Sequence, residues 1–229
     1  WVLRRKNKLL LLRESAILAA ILAALYISQT MGLAHTSASN SGFITGLFVL
    51  FVPLFLLLFF RKPPTPWQWA AVACALAGLW LLTGGAAGFN KGDALTLIAA
   101  AAYAAHLLAT DKYVRAQADP LLLAFHQFWM TGLMALIFSL LMGSPFAVSP
   151  RSGGVIVFLA VFPTLSAFYI QLLAQKRTAP LKVSLIFSLE PVFAAAFAWT
   201  LGGEQMLSSA LLGGGLIVAA MVVGEADKF

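Results

Sequence analysis

Glu190 is the residue whose surroundings ask most of it. The stretch SLIFSLEPVFAAAFAWTLGGE, from Ser184 to Glu204, is apolar almost throughout, yet it sets a carboxylate at Glu190 and a proline at Pro191 near its middle. An ionisable side chain at the centre of a membrane-length helix costs ~2.5–3.5 kcal/mol on insertion scales, so such residues face a bundle interior and mark a pathway. Helical periodicity places Val183, Phe187, Phe193, Ala194 and Phe197 around it as an apolar, aromatic stripe. Two chemistries are open to a carboxyl in that place. It exchanges a proton or pairs with a cationic ligand, or it stays protonated and bonds a neighbouring helix, covering a carbonyl that Pro191 frees.

The other polar groups within apolar segments are Gln29, Asn40, Thr45, Tyr103, His106, Gln127, Tyr169 and Gln171. Two amides such as Gln29 and Gln171 either hydrogen-bond a ligand or join helices. His106 reads as a neutral imidazole bonded to a neighbour, with proton relay or ligand contact as the alternative. His126 and Trp129 fall near a segment end, where interfacial packing is expected. Asp93 and Glu204 read as solvated capping carboxylates. Pro53 and Pro191 each remove a backbone hydrogen bond and so kink or gate their helices. Gly42 and Gly46 form a small face for close helix approach, as do Gly213 to Gly215. There is no HExxH, no phosphate-binding glycine loop and no intramembrane pair of aspartates, so no enzyme is expected. The single cysteine, Cys74, excludes a disulfide framework and a thiol pair for a metal, and no cofactor is implied.

The elements that must position these residues follow from composition. Of 229 residues 61% are hydrophobic and 10% charged, where a soluble domain carries roughly 25% charged residues. Apolar runs of bilayer-spanning length fall near 15–34, 39–60, 67–84, 93–111, 121–142, 154–174, 181–201 and 207–225. They are continuous rather than alternating, which excludes an outer-membrane barrel. The expected class is therefore all-α, a polytopic helical membrane protein with eight transmembrane helices and the lipid bilayer as its solvent. The opening WVLRRKNKLLLLRES resembles a signal peptide, but the seven further runs argue that it is retained.

The formal charge of +7 reports topology rather than a nucleic-acid partner. With the first run starting in the cytoplasm, Arg4, Arg5, Lys6, Lys8, Arg13, Arg61, Lys62, Lys112, Arg115, Lys176, Arg177, Lys182 and Lys228 fall inside. Only Lys91 and Arg151 fall outside. That bias is what the positive-inside rule produces, and it puts both termini in the cytoplasm.

Sliding the chain against itself by 142 residues pairs Gln29 with Gln171, Thr36 with Thr178, Ile44 with Ile186, Leu47 with Leu189, Phe51 with Phe193, Phe55 with Phe197 and Ala77 with Ala219. Runs and loops superpose without a gap. The runs near 93–111 and 121–142 have no partner, because their equivalents would lie upstream of residue 1. The expectation is a duplicated five-helix unit, with residues 1–84 the remainder of the first copy and 85–229 the second. Five is odd, so the copies are inverted, an arrangement that recurs in transporters with a site where the halves meet.

The chain also resembles the drug/metabolite transporter superfamily, of the EamA type. The resemblance rests on TMGLAHTSASNSGFITGLFVLFVPL (30–54) and WQWAAVACALAGLWLL (67–82) in the first copy. In the second it rests on GDALTLIAAAAYAAHLLATDKY (92–113), DPLLLAFHQFW (119–129), AQKRTAP (174–180) and SLEPVFAAAFAWTLGGE (188–204). The resemblance implies ten helices in an inverted five-plus-five repeat, a prokaryotic inner membrane, and a small amphipathic metabolite or drug as substrate, moved outward by alternating access. In that reading Glu190 is the coupling or substrate-pairing acid, with proton exchange one of its roles. Gln29, Gln171, Tyr169, His106 and Asn40 line the cavity, and Pro53 and Pro191 serve as gates or kinks. The chain departs from the family at RKPP (61–64), where many members carry a Gly-Glu like Gly203–Glu204, and in the two helices expected upstream. A membrane protein that does not transport, whether sensor, assembly partner or truncated remnant, is the competing reading.

Overall fold

A computed structural model describes residues 11–36, 38–83, 90–116, 118–143, 149–200 and 208–225. Glu204, Lys228 and the basic residues Arg4, Arg5, Lys6 and Lys8 lie outside the described residues, as do the side chains of Asn40, Arg151, Pro191 and Ala194.

The described residues form helices in eight passages. They are α1 (Leu12–Leu33), α2 (Ala38–Gly46) running into α3 (Phe48–Phe60), α4 (Pro66–Thr83), α5 (Lys91–Arg115) and α6 (Pro120–Leu141). After these come α7 (Pro150–Leu159), a π-helical turn (Ala160–Ser166) and α8 (Ala167–Gln175) as one passage, then α9 (Pro180–Phe187) with α10 (Glu190–Thr200), and α11 (Ser208–Glu225). Each matches an expected run. Five of the segments are long and apolar enough to cross a membrane: Leu12–Leu33, Ser41–Phe60, Lys91–Arg115, Pro120–Leu141 and Ser152–Gln175.

Local chemistry sets the ends. Asp119 accepts from the backbone N–H of Leu121 and Leu122, and Pro120 takes the first position of α6, where a missing N–H costs nothing. Ser149 caps α7 in the same way, and its hydroxyl accepts from Ser152 N. At the far end of α3, Arg61 takes the left-handed conformation (φ 54°) and Lys62 N donates back to Leu56 O at 3.0 Å before Pro63 and Pro64 stop the helix. Asp93 is fully buried rather than solvated. One of its oxygens accepts from Asn90 N at 2.9 Å and the other from the Thr36 hydroxyl at 2.6 Å, tying the end of α1 to the start of α5. Asp93→Ala is expected to cost about 1–2 kcal/mol, read as a lower Tm of the detergent-solubilised protein, and Asp93→Asn is expected to cost less.

Contacts divide the chain into two compact units. The first comprises Trp1–Ala23 with Ala109–Thr178, the second Ala24–Leu108 with Ala179–Phe229. Each unit contains segments from both sequence copies. In the first, Leu18, Val114, Leu123, Ala124 and Leu172 form the core, and the Thr131 hydroxyl donates to Ala19 O. Arg115 pairs with Asp111 one helical turn earlier at 2.7 Å and also donates to Thr178 O.

In the second unit α4 and α11 pack along each other. A Cβ added at Gly78 would meet Gly213 O and Ile217, whereas one added at Gly224 would meet Ala71, so the two helices run antiparallel. Positions 74 and 216, which meet near the middle of the pair, differ by 142. Cys74 Sγ, a half-buried thiol, donates to the carbonyl of Leu216. The breaks follow the same offset. The α2–α3 break falls at Leu47, and the α9–α10 break at Ser188–Leu189.

Candidate functional site

The two breaks decide where the chemistry sits. At the first, Leu47 N bonds Ile44 O and Leu50 N bonds Leu47 O, three-residue spacings that tighten the helix and end α2. At the second, Leu189 N bonds Ile186 O in the same way. Pro191 has no N–H to offer Phe187 O, which accounts for a break just ahead of it. This corrects the expected helix interior: Pro191 is the second residue of α10, a position where proline is tolerated. Pro53 differs again, since α3 continues through it and its own break lies six residues earlier, at Leu47.

Glu190 is therefore the first residue of α10, ten residues from the start of α9 and ten from the end of α10. Its side chain is accessible along a face shared with Phe193 and Phe197, themselves 60% and 59% exposed, while its carboxyl end is largely enclosed by protein. Its carboxylate is an electrostatic neighbour of Tyr103 on α5, as is the phenol of Tyr26 on α1. The Tyr103 ring lies against Phe48, the first residue of α3, with centroids 4.5 Å apart. On another side it stacks on Phe187, the last residue of α9, at 6.3 Å and 26°. Phe48 is buried at 3%, Tyr103 and Phe187 are half-buried, and Glu190 is exposed.

Gln29 adjoins this group. Its amide donates to the Thr45 hydroxyl at 3.1 Å, linking α1 to α2. Tyr26 lies three residues before Gln29, and Phe48 three residues after Thr45. All of these residues belong to the second unit. His106 is also there, buried one turn beyond Tyr103 on α5. Asn40 sits in the first turn of α2, and nothing further is described for its side chain.

Gln171 and Tyr169 belong to the first unit. Gln171 is buried and donates to Gln175 at 3.1 Å on its own helix, while Tyr169 packs against the core of that unit. Gln127 is fully buried, and His126 Nδ1 accepts the Trp129 indole N–H at 3.0 Å.

Sequence reasoning missed Tyr26 and gave Tyr103 no particular weight. The available signal for Tyr26 was its spacing of three from Gln29, which puts both on one face of α1. Among the described residues no cluster of three His, Cys, Asp or Glu side chains forms a metal-ligand group. What the arrangement offers is one acid, two phenols, an amide–hydroxyl pair and stacked aromatic walls, a set suited to holding a small amphipathic molecule.

The EamA-like transporter family matches residues 1–84 and 90–223. An uncharacterized transporter of Archaeoglobus fulgidus is 29% identical over 198 residues, 86% of this chain and 64% of that protein. The chain thus spans 64% of the length of the curated relative it matches. A crystal structure of 19% identity superposes with a TM-score of 0.80, over 98% of this chain and 78% of its own, a likeness of fold alone.

Proposed function

Because this chain belongs to the EamA-like transporter family, we propose that it is a secondary transporter moving small amphipathic metabolites or drugs across a prokaryotic inner membrane by alternating access. Its direction is outward and both termini are cytoplasmic. The observation that carries this reading is the pair of broken helices, α2–α3 and α9–α10. Helices interrupted at corresponding places in two repeats supply a carrier's site near mid-membrane, where half-helix ends meet the solute.

In this reading residues 1–84 and 85–229 are inverted copies, supported by the antiparallel course of α4 and α11 and by the shared offset of the breaks. Glu190 is the coupling or substrate-pairing acid. Position 190 corresponds to position 48, since 48 and 142 sum to 190, so one copy contributes the acid and the other the ring of Phe48. Gln29, held by Thr45, lines the same crevice, with His106 and Asn40 nearby. Gln171 and Tyr169, in the other unit, are further candidate contacts, and Pro53 and Pro191 serve as gates or kinks of their helices. Without a nucleotide-binding segment, the driving force is an ion or solute gradient, with proton exchange at Glu190 as the coupling step.

The test is solute uptake into everted vesicles bearing the full-length protein, with and without an imposed proton gradient. The expected result is uptake that collapses when a protonophore is added. Uptake equal to that of vesicles lacking the protein contradicts the reading.

A further inference from the structure

The geometry points to Tyr103 as the specificity-determining residue of the crevice, one that selects an organic cation with a planar aromatic body over an aliphatic cation of equal charge. The inference rests on the transporter reading only for its biological setting, since it concerns binding.

Three observations carry it. The first is the position of the Tyr103 ring, which touches one aromatic residue at each break: Phe48 at 4.5 Å and Phe187 at 6.3 Å. Phe48 is buried at 3%, whereas Tyr103 and Phe187 keep part of their surface accessible. The second is the charge beside it. Glu190 is the carboxylate neighbouring Tyr103. A cation held there has both a carboxylate and ring faces to meet, and ring faces attract cations through their quadrupole.

The third observation is how the repeat divides the work. Thr45 corresponds to Phe187 and Phe48 to Glu190, each pair 142 apart. At each level one copy supplies a ring and the other a polar group, and Tyr103 spans the two. An aromatic body gains stacking contacts against Tyr103 and Phe187 that an aliphatic body of the same charge does not make. Selection is assigned to the ring, so it survives loss of the hydroxyl.

The test measures equilibrium binding of two probe cations, ethidium and tetrapropylammonium, to the purified full-length protein in nanodiscs. Wild type is expected to favour ethidium by about tenfold. Tyr103→Leu brings the ratio toward one, whereas Tyr103→Phe retains it. Glu190→Gln weakens both probes by a similar factor and leaves the ratio in place. Phe187→Leu is the second variant should Tyr103→Leu not yield monodisperse protein, and it too lowers the ratio. A wild-type ratio near one, a ratio unchanged in the leucine variants, or binding of neither probe overturns the inference. The ratio persisting in a protein that moves no solute overturns the carrier reading and leaves this one standing.

Discussion

Glu190→Gln is expected to slow transport by about thirtyfold or more while leaving the folded protein intact. Losing the carboxylate that would pair with the solute's charge is expected to cost ~2 kcal/mol or more, and each 1.4 kcal/mol is a factor of ten. The change is also expected to remove the dependence of rate on external pH, because under the proposed coupling Glu190 is the group that exchanges protons. Glu190→Asp keeps the charge on a shorter arm and should retain part of the rate. Stability should move by less than about 0.5 kcal/mol, since Glu190 begins a half-helix and is accessible rather than sealed in a core. The competing reading of Glu190 as a helix-joining hydrogen bond makes the opposite prediction, a lowered Tm with rates preserved. Initial rates in proteoliposomes and thermal melts of the same samples separate the two.

The second large effect concerns the pair α4 and α11. A Cβ at Gly78 would lie 2.7 Å from Gly213 O and 2.7 Å from Ile217 Cγ1. The carbonyl is backbone and cannot rotate away, so the helices themselves must separate. Ala71, Ala75, Leu79, Ile217 and Ala220 are buried in the same core and would lose contact. Gly78→Val is therefore expected to destabilise by about 3 kcal/mol, seen as a lower Tm and a loss of monodisperse protein on size exclusion. Gly215→Ala is the control, because nothing lies within 4 Å of its added Cβ. An unaffected Gly78→Val would mean that α4 and α11 do not approach as closely as described.

Hydropathy was enough to place the passages, because lipid demands an uninterrupted apolar run and a helix to satisfy its backbone. The offset of 142 was legible for the same reason. It recurs in the two breaks. The breaks themselves were not legible. A proline in an apolar run marks a missing hydrogen bond but does not say whether the helix bends or restarts, and at Leu47 no proline is near enough to mark anything. Small-residue patterns were only partly informative. Of the Gly42–Gly46 pair, Gly46 meets the Leu79 side chain while Gly42 faces open space. The glycine with the tighter backbone constraint, Gly78, sits outside any such motif. Glu190 stood out because a charge in an apolar run is costly. Tyr26 and Tyr103 did not, because an isolated tyrosine in such a run is ordinary, and only the fold shows that Tyr103 neighbours both Tyr26 and the acid.

The accessibility of the crevice beside Glu190 is the claim on which the rest depends, and one labelling measurement tests it directly. Cys74 is the sole cysteine, so Phe187→Cys in a Cys74→Ser background gives a single thiol at the end of α9. With a membrane-impermeant maleimide, labelling is predicted in both right-side-out and everted vesicles, and ethidium should slow it from either side. A thiol that reacts from neither side, as one turned to lipid would, contradicts the account.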